Sequence, residues 1–314
     1  MLFMSLIEIK GLVKKYGDIT AVDGIDLSIE KGEIFGLLGP NGAGKTTTLM
    51  MLSTLLKPTS GSAVVNGFDV VKNPLQVRDS IGMVFQDPSS DKVLTAYENL
   101  KLHALLYDVP VKEIDSRIDR VLSLVELEGR KKDLVKHYSG GMRRRMEIAR
   151  GLLHEPAIFF LDEPTIGLDP QSREHMWDYI ENLAKKRSMT IILTTHYMEE
   201  AQKLCDRVAI VDHGKIIALD TPASLISCLG GDTVILHGKD ALLDASKLPF
   251  KTSVNKYDGY LKISVADLGR NLKDLLAEAK NVESVEVHTA NLNDVFLHYT
   301  GRDLREDKGG EEIW

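Results

Sequence analysis

The chain has 314 residues, 43% of them hydrophobic and 27% charged, the balance of a globular protein with room for more than one core. Its formal net charge of −7 argues against nucleic acid as the main ligand, because a phosphate backbone rewards a basic face. No apolar run reaches the roughly 18 residues that a membrane-crossing helix needs, and Cys205 and Cys228 have no metal-ligand spacing, so both read as reduced structural thiols in a cytosolic protein.

Met1-Leu2-Phe3-Met4 is apolar, but no basic stretch precedes it and Glu8 soon follows, which speaks against a secretory signal; Met4 offers an alternative start. Short strands with turn signals come next: Leu6-Ile7-Glu8-Ile9, then Ile25–Ile29 ended by Lys31-Gly32, then Gly61–Val65 closing on Asn66-Gly67. Among them the apolar run Ile34-Phe35-Gly36-Leu37-Leu38 leads into Gly39-Pro40-Asn41-Gly42-Ala43-Gly44-Lys45-Thr46-Thr47 and on to helix-favouring Thr48-Leu49-Met50-Met51-Leu52. Strand, glycine-rich loop and helix is the setting a phosphate-binding loop requires. The glycines let several N–H groups converge, the helix aims its positive end at the same point, Lys45 adds a full charge for the β- and γ-phosphates, and Thr46 offers a hydroxyl to Mg²⁺.

Ile81-Gly82-Met83-Val84-Phe85 reads as a buried strand. From Thr95 to about Tyr138 the period changes: Leu100, His103, Ala104 and Tyr107, then Ile114, Ile118, Val121, Leu122 and Val125, recur at helical spacing, which predicts a helical insert over about 88–140. Beyond it, a helix from Gly140, strand Ile158–Leu161, helix Gln171–Arg187, strand Thr190–Thr194, helix Glu199–Leu204 and strand Val208–Val211 alternate, which implies a parallel sheet covered on both faces. Asp212-His213-Gly214-Lys215 then turns a hairpin. A second unit follows over 230–301: strand Thr233–His237, a short helix near Asp240–Ser246, strands Thr252–Lys256 and Tyr260–Val265, helix Asp267–Lys280, strand Val282–His288 and helix Leu292–Thr300. That βαββαβ order predicts a small α+β, ferredoxin-like sandwich, with a frayed tail over 302–314.

Two further stretches carry chemistry. Ala157-Ile158-Phe159-Phe160-Leu161 is a buried strand that ends in Asp162-Glu163, so both acids emerge at the C-terminal end of the sheet, where ligands of open α/β sheets bind. There Asp162 would hold Mg²⁺ and Glu163 would polarise an attacking water. In Tyr138-Ser139-Gly140-Gly141-Met142, Ser139 is an N-cap residue and the glycines let a phosphate approach the start of the helix. Of Arg143, Arg144 and Arg145, which come next, two of the three read as a solvated helix face.

In the order phosphate loop, Gln86, Ser-Gly-Gly, Asp162-Glu163, Asp169 and His196, the chain resembles the nucleotide-binding subunit of ABC transporters over 5–222. The resemblance implies an α/β P-loop NTPase fold (an ABC ATPase) with an antiparallel β subdomain and a helical insert, and ATP with Mg²⁺ as ligands. It also implies roles. Tyr16 matches the aromatic that stacks on adenine; Gln86 matches the residue that touches Mg²⁺ and the attacking water and senses the membrane partner. Asp169, in Gly167-Leu168-Asp169, matches the loop that signals between subunits, and His196 the switch histidine on the γ-phosphate. The signature departs from the family's Leu-Ser-Gly-Gly-Gln at Tyr138 and Met142 and keeps Ser139, Gly140 and Gly141.

A narrower likeness follows from Tyr-Ser-Gly-Gly-Met-Arg-Arg-Arg, Asp-Glu-Pro-Thr-Ile-Gly-Leu-Asp-Pro and the closing Asn293–Gly301: the chain looks like the ATPase of ABC-2 type exporters, the daunorubicin-resistance-like group. In that light 230–301 is an accessory domain that packs or steadies a dimer. One phosphate loop and one Ser-Gly-Gly per chain then imply a homodimer that closes on two Mg·ATP and drives separate ABC-2 type membrane permease subunits, from a cytoplasmic position peripheral at the inner face of the cell membrane. A soluble ABC ATPase of ribosomes or nucleic acid usually joins two ATPase units or carries long coiled-coil or zinc insertions, and neither is seen. A non-catalytic nucleotide-gated regulator would lack Glu163 or His196, and both are there.

Overall fold

The computed structural model describes residues 5–187 and 189–301; the apolar start at 1–4 and the tail at 302–314 lie outside the described residues. The chain divides into two compact units, the first running to Leu219 and the second beginning at Asp220.

In the first unit, β1 (Ser5–Tyr16) and β2 (Ile19–Glu30) pair antiparallel, and β4 (Ser60–Val65) and β5 (Phe68–Asp69) extend them into a sheet of order β2-β1-β4-β5. Both long strands outrun the apolar patterns that announce them. Shifts of register between Ile9 and Leu12 and between Lys14 and Lys15 interrupt the two-residue alternation that makes a strand legible.

The second sheet has the order β10-β9-β3-β8-β7-β6, formed by β3 (Ile34–Leu38), β6 (Ile81–Val84), β7 (Ile158–Asp162), β8 (Thr190–Thr195), β9 (Arg207–Asp212) and β10 (Lys215–Asp220). β3, β7 and β8 are buried along their whole length, as parallel strands covered on both faces must be. The register is what matters for function. Leu38 lies beside Thr195 and Asp162 beside Thr194, so β3, β8 and β7 finish level with one another at the C-terminal end of the sheet.

Helices α1 (Lys45–Leu52), α2 (Pro74–Ser80), α6 (Pro170–Arg187) and α7 (Met198–Leu204) connect these strands. The insert consists of α3 (Ala96–Leu106), started by a Thr95–Glu98 capping box, and α4 (Val111–Leu124), which buries Ile114, Ile118, Val121 and Leu122 along one stripe. Two short 3₁₀ turns lead from there to α5 (Gly140–Leu152). One core joins both sheets: Ile7, Ile29, Phe35, Leu49, Phe160 and Ile192 all belong to it.

The second unit opens with α8 (Pro222–Ser227), which the sequence reading lacks, and holds β11 (Asp232–His237), β12 (Thr252–Tyr257), β13 (Tyr260–Val265), α9 (Leu268–Glu278), β14 (Ser284–His288) and α10 (Leu292–Thr300). Its strands are antiparallel in the order β12-β13-β11-β14, over a core of Val234, Leu236, Leu261, Ile263, Val265 and Leu275. The short helix predicted near Asp240–Ser246 is absent, and a 3₁₀ turn at Ala245–Lys247 stands there. The cause is local. Asp244 accepts from the Ser246 N–H and hydroxyl, and Leu242 is held extended by paired backbone bonds to Lys280 of 2.9 and 3.1 Å.

Phe160 is fully buried at the centre of the first core. Phe160→Ala is expected to cost about 3–5 kcal/mol in urea unfolding; a loss under about 1 kcal/mol would contradict the placement of β7 at the heart of the sheet.

Candidate active site

The loop after β3 is wedged between two other strands. A β-carbon on Gly39 would stand 2.2 Å from the Val211 carbonyl oxygen, and one on Gly44, whose φ is 101°, 2.3 Å from that of Ala21. Only glycine fits either position. The Gly39 N–H donates to the Thr195 carbonyl at 3.3 Å, which stitches the loop to the end of β8. Lys45, 5% exposed, turns back into this curl and donates to the carbonyls of Gly39 (2.8 Å) and Pro40 (2.9 Å). Burial pulls its ammonium below the ordinary lysine range, and the Glu163 carboxylate 3.5 Å away works in the opposite direction. Ala43 is buried, Thr46 and Thr47 are half-buried, and Asn41 and Gly42 are exposed at the rim.

The end of β7 completes the cluster. Asp162 Oδ1 accepts from the Thr46 hydroxyl at 3.0 Å and from the Thr194 hydroxyl at 2.6 Å. The Thr194 oxygen in turn accepts from the Glu163 N–H at 3.0 Å. Glu163 has φ 47°, a left-handed conformation that costs a non-glycine residue about 1–2 kcal/mol. That turn aims its side chain back at the loop. Its Oε2 lies 2.5 Å from His196 Nδ1, and this ion-pair contact is what either buried atom has for a partner among the described residues.

Lys45, Thr46, Asp162, Glu163 and His196 are thus gathered at one place. Others stand apart from this network. Gln86, exposed two residues beyond β6, enters no side-chain hydrogen bond with it. Tyr16 ends β1 at 47% exposure with the Lys14 ammonium 5.1 Å above its ring. Ser139 caps α5, its hydroxyl accepting from the Met142 N–H at 3.2 Å, with Gly140 exposed and Gly141 half-buried beside it. The Asp169 carboxylate caps α6 by accepting from the Ser172 N–H (2.9 Å) and hydroxyl (2.6 Å), bonds that hold its carboxyl below the usual range. Gln86, Gly140, Gly167 and Leu168 line one cleft.

Sequence reasoning missed Thr194, whose only signal is a polar pair ending an apolar strand. It also missed Arg144, which is 6% exposed while its neighbours Arg143 and Arg145 are half-buried and bond to the carbonyls of Tyr138 and Val125. Glu200, fully buried, accepts from Thr165 (2.8 Å) and from the Trp177 indole (3.0 Å), and burial pushes its carboxyl above the usual carboxylate range.

A family model described as ABC transporter matches residues 22–166. A linearmycin resistance ATP-binding protein of Bacillus subtilis is 39% identical, covering 96% of this chain and 100% of the relative. The chain belongs to the ABC transporter ATP-binding family. A daunorubicin/doxorubicin resistance ATP-binding protein of Streptomyces peucetius is 38% identical over 98% of this ABC ATPase and 95% of the relative, and a Nod factor export ATP-binding protein of Ralstonia nicotianae is 36% identical over 96% and 95%. Among solved structures, cbiO1 of Clostridium perfringens, part of an ABC transporter complex, superposes with a TM-score of 0.66 at 30% identity over 71% of this chain and 91% of its own. An ATP-binding cassette solved as a dimer in a post-hydrolysis state with ADP and Pi superposes at 0.62 and 28% identity, over 68% and 98%. This ABC ATPase is accordingly an ATP-binding subunit that hydrolyses ATP.

Alanine at Gly44 must adopt a positive φ, at about 1–2 kcal/mol before any clash with Ala21. Gly44→Ala is expected to raise the Kd for ATP in calorimetry at least about tenfold; unchanged affinity would show that the loop does not cradle the phosphates.

Proposed function

We propose that this ABC ATPase powers an exporter: two copies close on two ATP molecules, hydrolyse them, and drive separate ABC-2 type membrane subunits from the cytoplasmic face of the membrane. The observation that carries the reading is the convergence of Lys45, Thr46, Asp162, Glu163 and His196 at the level ends of three buried strands, while the helix N-terminus at Ser139 stays exposed. One chain therefore supplies a complete acid–base half and an unused anion-binding half. Relatives named for linearmycin and daunorubicin resistance and for Nod factor export support the direction of transport.

The roles we assign rest on the geometry for the clustered residues and on the family resemblance for Tyr16, Gln86, Asp169 and Ser139–Gly141. The loop N–H groups and Lys45 hold the β- and γ-phosphates, exchanging the loop's own carbonyls for phosphate oxygens. Thr46 and Asp162, a hydroxyl and a carboxylate 3.0 Å apart, are the hard oxygen donors that Mg²⁺ takes one or two at a time, with Gln86 as a further donor. When bound, that ion neutralises charge on the β- and γ-oxygens. Glu163 accepts a proton from the water that attacks the γ-phosphorus, the β–γ bridging bond breaks, and ADP and phosphate leave. His196, against the Glu163 carboxylate, holds it in place and faces the γ-phosphate. Tyr16 stacks on adenine, Asp169 faces the second copy, and Ser139, Gly140 and Gly141 of that copy cap the γ-phosphate with a helix N-terminus. The unit from 230 to 301 is an accessory domain.

Glu163→Gln is expected to give dimers that persist under Mg·ATP and hydrolyse slowly, measured by light scattering and phosphate release; monomers under ATP would overturn the two-copy site. Lys45→Ala is expected instead to weaken nucleotide binding itself, read by calorimetry.

A further inference from the structure

Arg144 is buried in the first unit yet makes no ion pair among the described residues. Its donors go to main-chain carbonyls. Nε donates to Pro164 at 2.8 Å; Nη2 donates to Asp162 at 2.6 Å and Glu163 at 2.9 Å; Nη1 donates to Phe85 at 2.5 Å and, more weakly, to Gln86 at 3.4 Å. These five oxygens belong to the two segments that leave the adjacent strands β6 and β7. The parallel ladder between those strands ends at Val84 and Leu161, and the guanidinium sits at the point where they part. Arg144 lies on the second turn of α5, whose first residue follows Ser139. One turn further along α5, Glu147 accepts from the Ser90 N–H at 2.8 Å and from the Ser89 hydroxyl at 3.2 Å, so the same helix holds the Gln86 segment at two points.

We propose that Arg144 is a positioning residue that locks the backbone of Glu163 and Gln86 to the signature helix. Glu163 needs such a lock. Among the described residues, two backbone bonds from outside its own segment hold its left-handed φ of 47°: its N–H to Thr194 and its carbonyl from Arg144. The planar fork of five N–H donors suits five carbonyls spread over two segments; a lysine ammonium has three donors in a cone and a glutamine amide two, and neither spans them. A phosphate that engages the α5 N-terminus at Ser139 then bears, through one rigid helix, on the base and on the Gln86 segment together. Gating of hydrolysis by closure is built into this one side chain. The inference rests on Glu163 as the base of hydrolysis.

The test uses the full chain, with ATP affinity by calorimetry, melting temperature and steady-state hydrolysis measured for Arg144→Lys and Arg144→Ala. Arg144→Lys is expected to bind ATP as the wild type does and to melt only a few degrees lower, from the carbonyls it leaves unpaired, while kcat falls by about 10²-fold at constant KM, the scale of a small misplacement of a reacting group. Added ethylguanidinium is expected to restore part of the kcat lost in Arg144→Ala and none of that lost in Glu163→Gln. Wild-type kcat in Arg144→Lys would overturn the proposal. So would an Arg144→Ala loss that tracks melting temperature and ATP affinity and is not rescued. Should Glu163→Gln itself turn over at the wild-type rate, the assignment of the base fails, and Arg144 is then judged on rescue alone.

Discussion

Three buried strands ending level with one another are the constraint on which the catalytic half depends. β3, β8 and β7 are packed on both faces, so none can slide without exposing a row of side chains, and their register places Leu38 beside Thr195 and Asp162 beside Thr194. The residues that follow, Gly39, Glu163 and His196, must therefore emerge together. The 3.0 Å bond from Thr46 to Asp162 spans 116 positions of sequence and is a consequence of that register. Thr194 serves as the joint, donating to Asp162 and accepting from the Glu163 N–H.

Electrostatically, the cluster buries one ammonium beside two carboxylates, and the ammonium is answered mainly by main-chain carbonyls. Lys45, Asp162 and Glu163 are 5%, 2% and 4% exposed, and burying charges this deeply costs several kcal/mol each unless partners repay it. Here the repayment is partial. Lys45 leans on its own loop's carbonyls and a carboxylate at 3.5 Å, and the Glu163 Oε2 and His196 Nδ1 atoms have only each other among the described residues. In the proposed mechanism a triphosphate answers the lysine, and the water that attacks it gives its proton to the carboxylate. The site is thus poised between a stable fold and a reactive one, and the backbone strain at Glu163 is part of the same arrangement.

The parallel sheet and its loop were legible in the sequence because their signals are local: unbroken apolar runs, then glycines and a lysine at fixed offsets. Asp162 and Glu163 were legible for the same reason, since a wholly buried strand has only its end to put an acid on. The lengths of β1 and β2 were not, because bulges break their alternation, and the missing helix near Asp240–Ser246 was lost to side-chain bonds at Asp244. Arg144 was illegible for a deeper reason. Three consecutive arginines at the start of a helix look like a solvated face, and which of them turns inward is decided by five carbonyls from segments about 20 and 60 residues away in the chain. Thr194 likewise gains its meaning only from its neighbour across the sheet.

In the proposed closed dimer the phosphate loop of one copy meets the signature turn of another, and a cross-link between them reads that contact. With Cys228 replaced by Ser and the buried Cys205 retained, Asn41→Cys and Ser139→Cys are combined in a Glu163→Gln chain and oxidised with and without Mg·ATP. A covalent dimer is expected to form only with Mg·ATP; its absence under Mg·ATP, or a link formed only within a single chain, would rule out the two-copy site.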